Sequence, residues 1–221
     1  MNNKTEAGAS APADEYRFGY TREEIERLRF QHHVWANENQ RFISRAGFST
    51  GTTLVDLGCG PGFTTLDLAH IVGPEGKVIA VDRDGDSSLP ILKAHARDEG
   101  LLNIETRAAS LEAFDLHEES VDGVFGRWVL MYLPGAAVTS LIGRMAKWLR
   151  PGSACALTEI CNYRHIHIHP PGTYLPEIAE ALIRAVTGER GCKPEIGNDL
   201  PGLLHSVGFF IKTLECRRPR P

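Results

Sequence analysis

The stretch Thr52-Thr53-Leu54-Val55-Asp56-Leu57-Gly58-Cys59-Gly60-Pro61-Gly62 decides the fold of this chain. Its first half is a short β-rich run, and its second half places glycine at every other position. Glycine lets the backbone turn tightly and lets a ligand approach without a Cβ in the way. The pattern from Thr64 to Val72 then predicts a helix, which ends at Gly73-Pro74. We therefore predict a strand, a tight turn and a helix in succession.

The same alternation of strand and helix continues along the chain. Further strands are predicted at Lys77–Val81, Asn103–Thr106, Val121–Phe125 and Ser153–Ile160, and further helices at Ser88–Glu99 and Gly135–Leu149. This order predicts an α/β fold of the Rossmann-like, doubly wound type, a mostly parallel sheet with helices on both faces. Right-handed crossovers place the carboxyl ends of the strands along one edge, where ligands bind.

The segments outside this alternation define the domain limits. Residues 1–15 are polar and lack an apolar stretch, so we expect a disordered leader and no signal peptide. Residues 16–216 form the predicted domain, which starts with a helix over 22–46 whose Thr21 and Glu24 resemble a capping box. Residues 217–221 are a basic, proline-rich tail.

Residues 162–190 break the alternation and are predicted to be an insertion at the edge of the cleft, containing a helix from Leu175 to Val186. A helix over Leu200–Ser206 and a strand over Phe209–Leu214 then resume the pattern.

Composition narrows the class of protein. The chain has 221 residues, of which 42% are hydrophobic and 24% charged, with a formal net charge of -4. These values suit one globular domain and give no reason to expect binding to nucleic acid or to a membrane. The five cysteines form no Cys-x-x-Cys pair, which favours a reduced, cytoplasmic protein.

The acidic residues around the glycine turn indicate the kind of ligand. The spacing is Gly-x-Gly-x-Gly, and Phe63 stands where part of a dinucleotide motif would continue. Asp56 discourages an anionic pyrophosphate and suits a cationic end, such as the amino group of an amino-acid moiety. Asp82 lies 20 residues after Gly62, where a carboxylate accepts hydrogen bonds from ribose hydroxyls. The alternative is that the glycines only form a turn and Asp82 only caps a loop.

With Val55 to Gly62 and Val78 to Arg83, the chain resembles the class I S-adenosylmethionine (SAM)-dependent methyltransferases. Within them it is most similar to the small-molecule group related to quinone-biosynthesis methyltransferases, through Gly126 to Pro134 and Leu149 to Gly152. No Asn-Pro-Pro-Tyr-type stretch follows the fourth strand, which also favours a small-molecule acceptor.

The resemblance implies that SAM is the cofactor and suggests which residues hold it. The glycine turn would hold the methionine part, Asp82 the ribose, and the residues after the third strand the adenine. The residues after the fourth strand would close the pocket, and the stretch before the first helix would cover it. The predicted cofactor-binding residues are Tyr20, Gln31, Asp56, Gly58, Cys59, Gly60, Gly62, Asp82, Arg83, Ala109, Ser110, Leu111, Arg127 and Trp128.

Methyl transfer from a sulfonium is an in-line displacement, so a catalytic base is optional. Glu159 is predicted either to face the cleft, as a base or an acceptor-orienting group, or to be a solvated carboxylate at the end of a strand. The run from His165 to His169 places three histidines on one side of an extended segment. His165 is a second candidate catalytic residue. A half-exposed segment is the simpler interpretation, and no metal site is predicted because a fourth ligand is not evident.

Three functions remain open at this point. The leading hypothesis is SAM-dependent transfer of a methyl group to carbon, oxygen or nitrogen of a small molecule. The alternatives are an NAD-dependent oxidoreductase and a non-catalytic SAM-binding protein of the same fold. Similar methyltransferases finish with two more strands, whereas this chain offers one, Phe209–Leu214, so we expect a truncated C-terminal hairpin.

Overall fold

Five parallel strands form one sheet in the order β3-β2-β1-β4-β5 in the computed structural model, which describes residues 18–161, 177–178, 180–181 and 191–217. The strands are β1 (Thr53–Leu57), β2 (Lys77–Asp82), β3 (Ile104–Ala108), β4 (Val121–Arg127) and β5 (Leu149–Thr158). The helices are α1 (Arg22–Ala46), α2 (Phe63–Val72), α3 (Ser88–Asp98), α4 (Gly135–Trp148) and α5 (Leu200–Ser206), with short 3-10 helices at Leu130–Tyr132 and Ile196–Asn198. The predicted Rossmann-like α/β sheet is confirmed.

The order of the strands reverses between β1 and β4. From β1 the chain builds outward through β2 to β3, and it then returns to the other side of β1 to form β4 and β5. Strands β1 and β4 are neighbours, and their register pairs Leu57 with Gly126. The turns that follow these two strands therefore start side by side and run in opposite directions. Such a switch point opens a crevice at the carboxyl edge of the sheet.

Helices cover both faces of the sheet, because alternate residues of each buried strand point to opposite faces. One face packs against α4 and α5 through Val55, Leu57, Ile79, Val81 and Val124. The other face packs against α1, α2 and α3 through Leu54, Val78, Ala80, Phe125 and Ala156. The two layers of helices pack against the sheet on either side of the crevice.

Helix α1 reaches from the crevice to one face of the sheet. The hydroxyl of Thr21 accepts a hydrogen bond of 3.2 Å from the backbone N–H of Glu24, as the capping pattern predicts. At the other end Gly47 adopts φ 83°, and Ile43 is buried among sheet residues. The second half of α1 is therefore packed on the sheet, while the first half lies at the edge where the strands end.

The predicted strand Phe209–Leu214 is wrong, because residues 209–217 have no strand structure. Phe210 and Leu214 are exposed, and the segment is held by side chains instead. Lys212 donates to the carbonyl of Arg45 at 3.4 Å, and Arg45 forms an ion pair with Glu215. These contacts place the segment along α1 rather than in hydrogen bonds with β5.

Two other predictions need adjustment. Strand β5 begins at Leu149, directly after α4, although Pro151-Gly152 predicted a break before Ser153. Residues 177–178 and 180–181 are helical and lie within the predicted helix Leu175–Val186, while the rest of that helix lies outside the described residues. In the part of the chain that is described, no helix has both the length and the apolar character needed to cross a membrane.

Replacing Gly123 in the centre of β4 with alanine should destabilise the fold. The added Cβ would lie 2.5 Å from Cε1 of Phe48 and 2.7 Å from Cδ2 of Leu54, both in the core. We expect a loss of about 1–3 kcal/mol in the free energy of unfolding, measured by urea titration.

Gly143→Ala is the matched control, since a Cβ there meets nothing within 4 Å and the residue lies inside α4. It should stabilise the protein by about 0.5–1 kcal/mol. Equal effects of the two substitutions would contradict the packing described for β4.

Candidate active site

The glycine turn after β1 contacts two other elements at the switch point. Gly58, Gly60 and Gly62 all have positive φ, between 52° and 88°. A Cβ on Gly58 would overlap the side chain of Val129, after β4, and one on Gly62 would overlap Leu92 of α3. All three positions therefore need glycine for backbone conformation, and Gly58 and Gly62 need it for close approach as well.

Asp82, the last residue of β2, is bonded to the glycine turn. Its Oδ2 accepts the backbone N–H of Gly60 at 2.7 Å, and its Oδ1 accepts the N–H of Asp84 at 2.9 Å. The N–H of Cys59 donates to the carbonyl of Val81 at 3.0 Å. The carboxylate is thus fixed beside the turn, and each oxygen keeps a second lone pair for a ligand hydroxyl.

Asp56 lies under the turn and is almost fully buried, with 3% of its surface exposed. Its Oδ2 accepts a hydrogen bond of 2.6 Å from the hydroxyl of Thr65 on α2. Burial raises the pKa of Asp56 to about 7, although the Thr65 hydrogen bond and the nearby positive charge of Arg127 oppose the shift. The group therefore changes charge near neutral pH.

Arg127, the last residue of β4, carries a buried positive charge next to these acids. Burial lowers the pKa of Arg127, while the charges of Asp56 and Asp67 oppose the shift. Its Nη1 is buried and has no hydrogen-bond partner among the described residues. A buried guanidinium nitrogen without a partner is costly, so this atom is a strong candidate for contact with an anionic ligand group.

Helix α1 adds His32 to this cluster. Its Nε2 lies 3.4 Å from Oδ2 of Asp67 on α2, and its ring stands 5.9 Å from that of Phe63. Burial lowers the pKa of His32 to about 4, and the positive charge of Arg127 adds to the shift. His32 is therefore neutral at physiological pH and does not cancel the charge of Asp67.

Trp128 lines the same edge in a strained backbone conformation, with φ 53°. The ring of Trp128 packs edge to face against that of Trp35 on α1, with 5.3 Å between the ring centroids. The guanidinium of Arg127 lies 5.0 Å from the centroid of the Trp128 ring. Tyr20, just before α1, brings its hydroxyl to 3.6 Å from the position of a Cβ on Gly60. Aromatic residues of the α1 region thus cover the turns after β1 and β4.

Glu159, immediately after β5, is not a solvated strand-end carboxylate. Its Oε1 accepts the backbone N–H groups of Val129 at 2.9 Å and Leu130 at 2.8 Å. Its Oε2 is buried and has no hydrogen-bond partner in the described part of the chain. Burial raises the pKa of Glu159 to about 7, and the backbone donors oppose the shift.

The remaining predicted residues lie around this centre. The N–H of Ala109 donates to the carbonyl of Asp82 at 3.0 Å, and Ser110 begins the turn that follows β3. The side chain of Leu111 is buried in the core, so its contribution to a ligand surface is restricted. Arg83 follows Asp82 and Gln31 lies on α1, both half-buried.

Cys59 is buried, and burial raises the pKa of its thiol well above the usual value, so it is not a reactive thiolate. His165 and the histidines after it lie outside the described residues.

Sequence analysis missed His32, Trp35, Thr65 and Asp67. A signal was available for Trp35, because it follows the predicted contact Gln31 by four residues and so shares its helix face. Thr65 and Asp67 are polar residues in the apolar helix α2, and their roles depend on contacts with Asp56 of β1 and His32 of α1, respectively. Among the described residues, no group of three or more His, Cys, Asp and Glu side chains is arranged to hold a metal ion.

Comparison with known proteins relates the central part of the chain to methyltransferases. Residues 54–152 match a family described as methyltransferase domain. The chain is 31% identical over 159 residues to trans-aconitate 2-methyltransferase of Azoarcus, which covers 68% of this chain and 59% of that protein. It is 32% identical over 129 residues to demethylmenaquinone methyltransferase of Lactococcus lactis, covering 58% of this chain and 49% of that protein.

The fold comparison agrees. A SAM-dependent methyltransferase of Mesorhizobium loti superposes with a TM-score of 0.63 and 22% identity, over 82% of this chain and 84% of that one. Residues 54–152 are thus similar in sequence to methyltransferase domains, the chain shares the fold of a SAM-dependent methyltransferase, and SAM is the cofactor that this similarity indicates. It spans only 22% to 59% of the length of eight curated relatives that it matches.

Ionisation of Asp56 should lower stability as pH rises. Below pH 3.8, the pKa of the unfolded state, the carboxyl group is protonated in both the folded and the unfolded protein. Between pH 3.8 and about 7 it is ionised only in the unfolded protein, which favours unfolding. Asp56→Asn keeps an acceptor for Thr65 and removes this titration. The difference between variant and wild type in unfolding free energy should therefore grow between pH 5 and 7, by up to about 1.4 kcal/mol per pH unit.

Urea titrations at pH 5, 6, 7 and 8 measure this difference, and the comparison cancels the titration of Glu159, which both proteins share. Asp98→Asn, an exposed substitution on α3, is the control and should stay within about 0.5 kcal/mol of wild type. A difference for Asp56→Asn that is constant with pH would show that the carboxyl group does not titrate in this range.

Proposed function

We propose that this protein transfers the methyl group of SAM to a small-molecule acceptor. The observation that carries the proposal is the meeting of three features at the switch point of the sheet: the glycine turn, the carboxylate of Asp82 and Nη1 of Arg127, which has no hydrogen-bond partner among the described residues. When bound, SAM supplies an activated methyl group on a sulfonium. The residues of this chain bind and orient it and exclude water.

The methionine part of SAM fits the cluster below the glycine turn. Nη1 of Arg127, which has no partner within the described ranges, is a donor for the carboxylate of methionine, and this contact would relieve the cost of burying it. The carboxyl of Asp56 is the acidic group for the amino end, and a cationic neighbour would lower its raised pKa. Gly58 and Gly60 let the ligand approach the backbone between them.

The nucleoside part fits the turns after β2 and β3. Asp82 already aligns both oxygens through backbone N–H groups, so its remaining lone pairs are directed for ribose hydroxyls. Arg83, Ala109, Ser110 and the backbone of Leu111 are the proposed surroundings of the adenine. Because the N–H of Ala109 donates a hydrogen bond to the carbonyl of Asp82, the residues proposed to contact ribose and adenine are held next to each other.

The first part of α1 is the proposed cover of the site. The hydroxyl of Tyr20 lies over Gly60, and Trp35 packs against Trp128 from above the turn after β4. Gln31 shares the helix face of Trp35 and is the proposed polar contact. A cover of aromatic rings keeps water from the sulfonium and strengthens the electrostatic contacts inside.

A small acceptor is supported by the charge of the chain and by its relatives. A formal net charge of -4 offers no basic surface for nucleic acid. The names of two relatives concern demethylmenaquinone and trans-aconitate, both small molecules. These two names differ in the chemistry of the acceptor, so the methylated atom has to be inferred from the site itself.

SAM and S-adenosylhomocysteine should each raise the melting temperature of the protein, while NAD should not. Asp82→Ala should weaken SAM binding at least about 10-fold by calorimetry, since a charged hydrogen-bond acceptor is lost. Asp86→Ala, exposed in the same loop, is the control and should bind SAM as wild type does. Stabilisation by NAD alone would instead favour an oxidoreductase.

Arg127→Met should weaken binding of SAM and S-adenosylhomocysteine about 10-fold or more, because their carboxylate loses its partner. Binding of methylthioadenosine, which lacks the amino-acid end, should change less than twofold. Arg97→Met, exposed on α3, is the control for a lost surface charge. An equal loss for methylthioadenosine would mean that Arg127 only supports the fold of the pocket.

A further inference from the structure

Glu159 is the acidic group whose arrangement the binding of SAM does not explain. Its carboxylate follows β5 and lies beside the turn that follows β4. That turn contacts the glycine turn directly, since Val129 occupies the space that a Cβ on Gly58 would need. Oε1 of Glu159 accepts a hydrogen bond of 2.9 Å from the backbone N–H of Val129. Val129 alone therefore separates this carboxylate from the glycine turn that is proposed to hold methionine.

The two oxygens of Glu159 have different surroundings. Oε1 accepts hydrogen bonds from successive backbone N–H groups at the start of the 3-10 helix Leu130–Tyr132. Oε2 is buried without a partner in the described part of the chain. The backbone of Met131 also contributes to holding the carboxylate, but burying an oxygen without a partner costs free energy. Oε2 is thus oriented and available to a ligand.

We propose that Oε2 of Glu159 takes the proton that the methyl acceptor releases, so that the acceptor is an amine or a hydroxyl compound rather than a carboxylate. This inference rests on the methyl transfer proposed above. A carboxylate acceptor is already anionic, needs no base and would be repelled by the charge of Glu159.

The transfer step balances in atoms and electrons. A lone pair of the acceptor nitrogen or oxygen forms the bond to the methyl carbon, and the carbon–sulfur bond breaks with its electron pair passing to sulfur. The sulfonium becomes the neutral thioether of S-adenosylhomocysteine. The proton of the acceptor passes to Oε2 of Glu159 and leaves to solvent after the products depart.

The ionisation of Glu159 suits this step. Its pKa of about 7 lies close to physiological pH, the range in which a general base is most effective. The titratable groups facing it are Tyr132 in the turn itself and Cys161 two residues further on, and the charge of Glu159 contributes to the raised pKa of each. Beyond Tyr132 lie Glu24 and Arg27 of α1, an ion pair with N–O distances of 2.7 Å and 2.8 Å.

Glu159→Gln distinguishes a role as a base from a role in holding the turn after β4. The amide oxygen still accepts hydrogen bonds from the backbone N–H groups, whereas the group that accepts a proton is lost. Radiolabelled SAM and three probes, catechol, benzylamine and trans-aconitate, measure the transfer. We expect wild type to methylate catechol or benzylamine. Glu159→Gln should lower kcat/KM at least about 100-fold, with the Kd for SAM changed less than twofold. Glu118→Gln, an exposed carboxylate at the opposite edge of the sheet, is the control.

The pH profile gives a second readout. At saturating SAM, kcat/KM of wild type for the acceptor should fall as pH decreases through about 7, because the base becomes protonated, and this limb should be absent in Glu159→Gln. A variant within threefold of wild type would reduce Glu159 to a clamp and overturn the proposal. Transfer to trans-aconitate alone, or SAM binding without transfer to either protic probe, would also overturn it. Failure of wild type to bind SAM would instead refute the proposed function itself.

Discussion

The close approach of three chain segments at the end of β1 is the constraint on which the site depends. Gly58 lies against Val129 and Gly62 against Leu92, with no room for a Cβ at either position. The hydrogen bond from Gly60 to Asp82 ties the same turn to the end of β2. One backbone turn thereby sets the relative positions of β1, β2, β4 and α3, and with them the ligand groups that each carries.

Around this turn the protein concentrates buried ionisable groups. Asp56 and Glu159 both have their pKa raised to about 7 by burial. In the described part of the chain, Oε2 of Glu159 and Nη1 of Arg127 have no hydrogen-bond partner. Unpaired polar groups destabilise a fold, so their presence together at one sheet edge points to ligands that would complete them. The interior of the sheet, by contrast, is apolar on both faces.

The fold was predictable because its signals are local. The strand–turn–helix pattern of residues 52–72 and the repeated alternation after it predicted the five strands of the sheet. The strand at Phe209–Leu214 was not predictable in the same way, since a strand requires a partner edge. That segment has β-forming residues, yet ion pairs with Arg45 and its neighbours hold it along α1 instead.

The sequence by itself determined the sheet, the glycine turn and the acidic residues before and after it, because spacing within one segment controls them. Only the tertiary structure decided which distant side chains join that turn. His32 and Trp35 lie on α1 and Glu159 follows β5, and none of these three is close to the turn in sequence. Burial, which depends on the whole fold, then raised the pKa of Glu159, and the fold oriented its carboxylate so that one oxygen has no partner among the described residues.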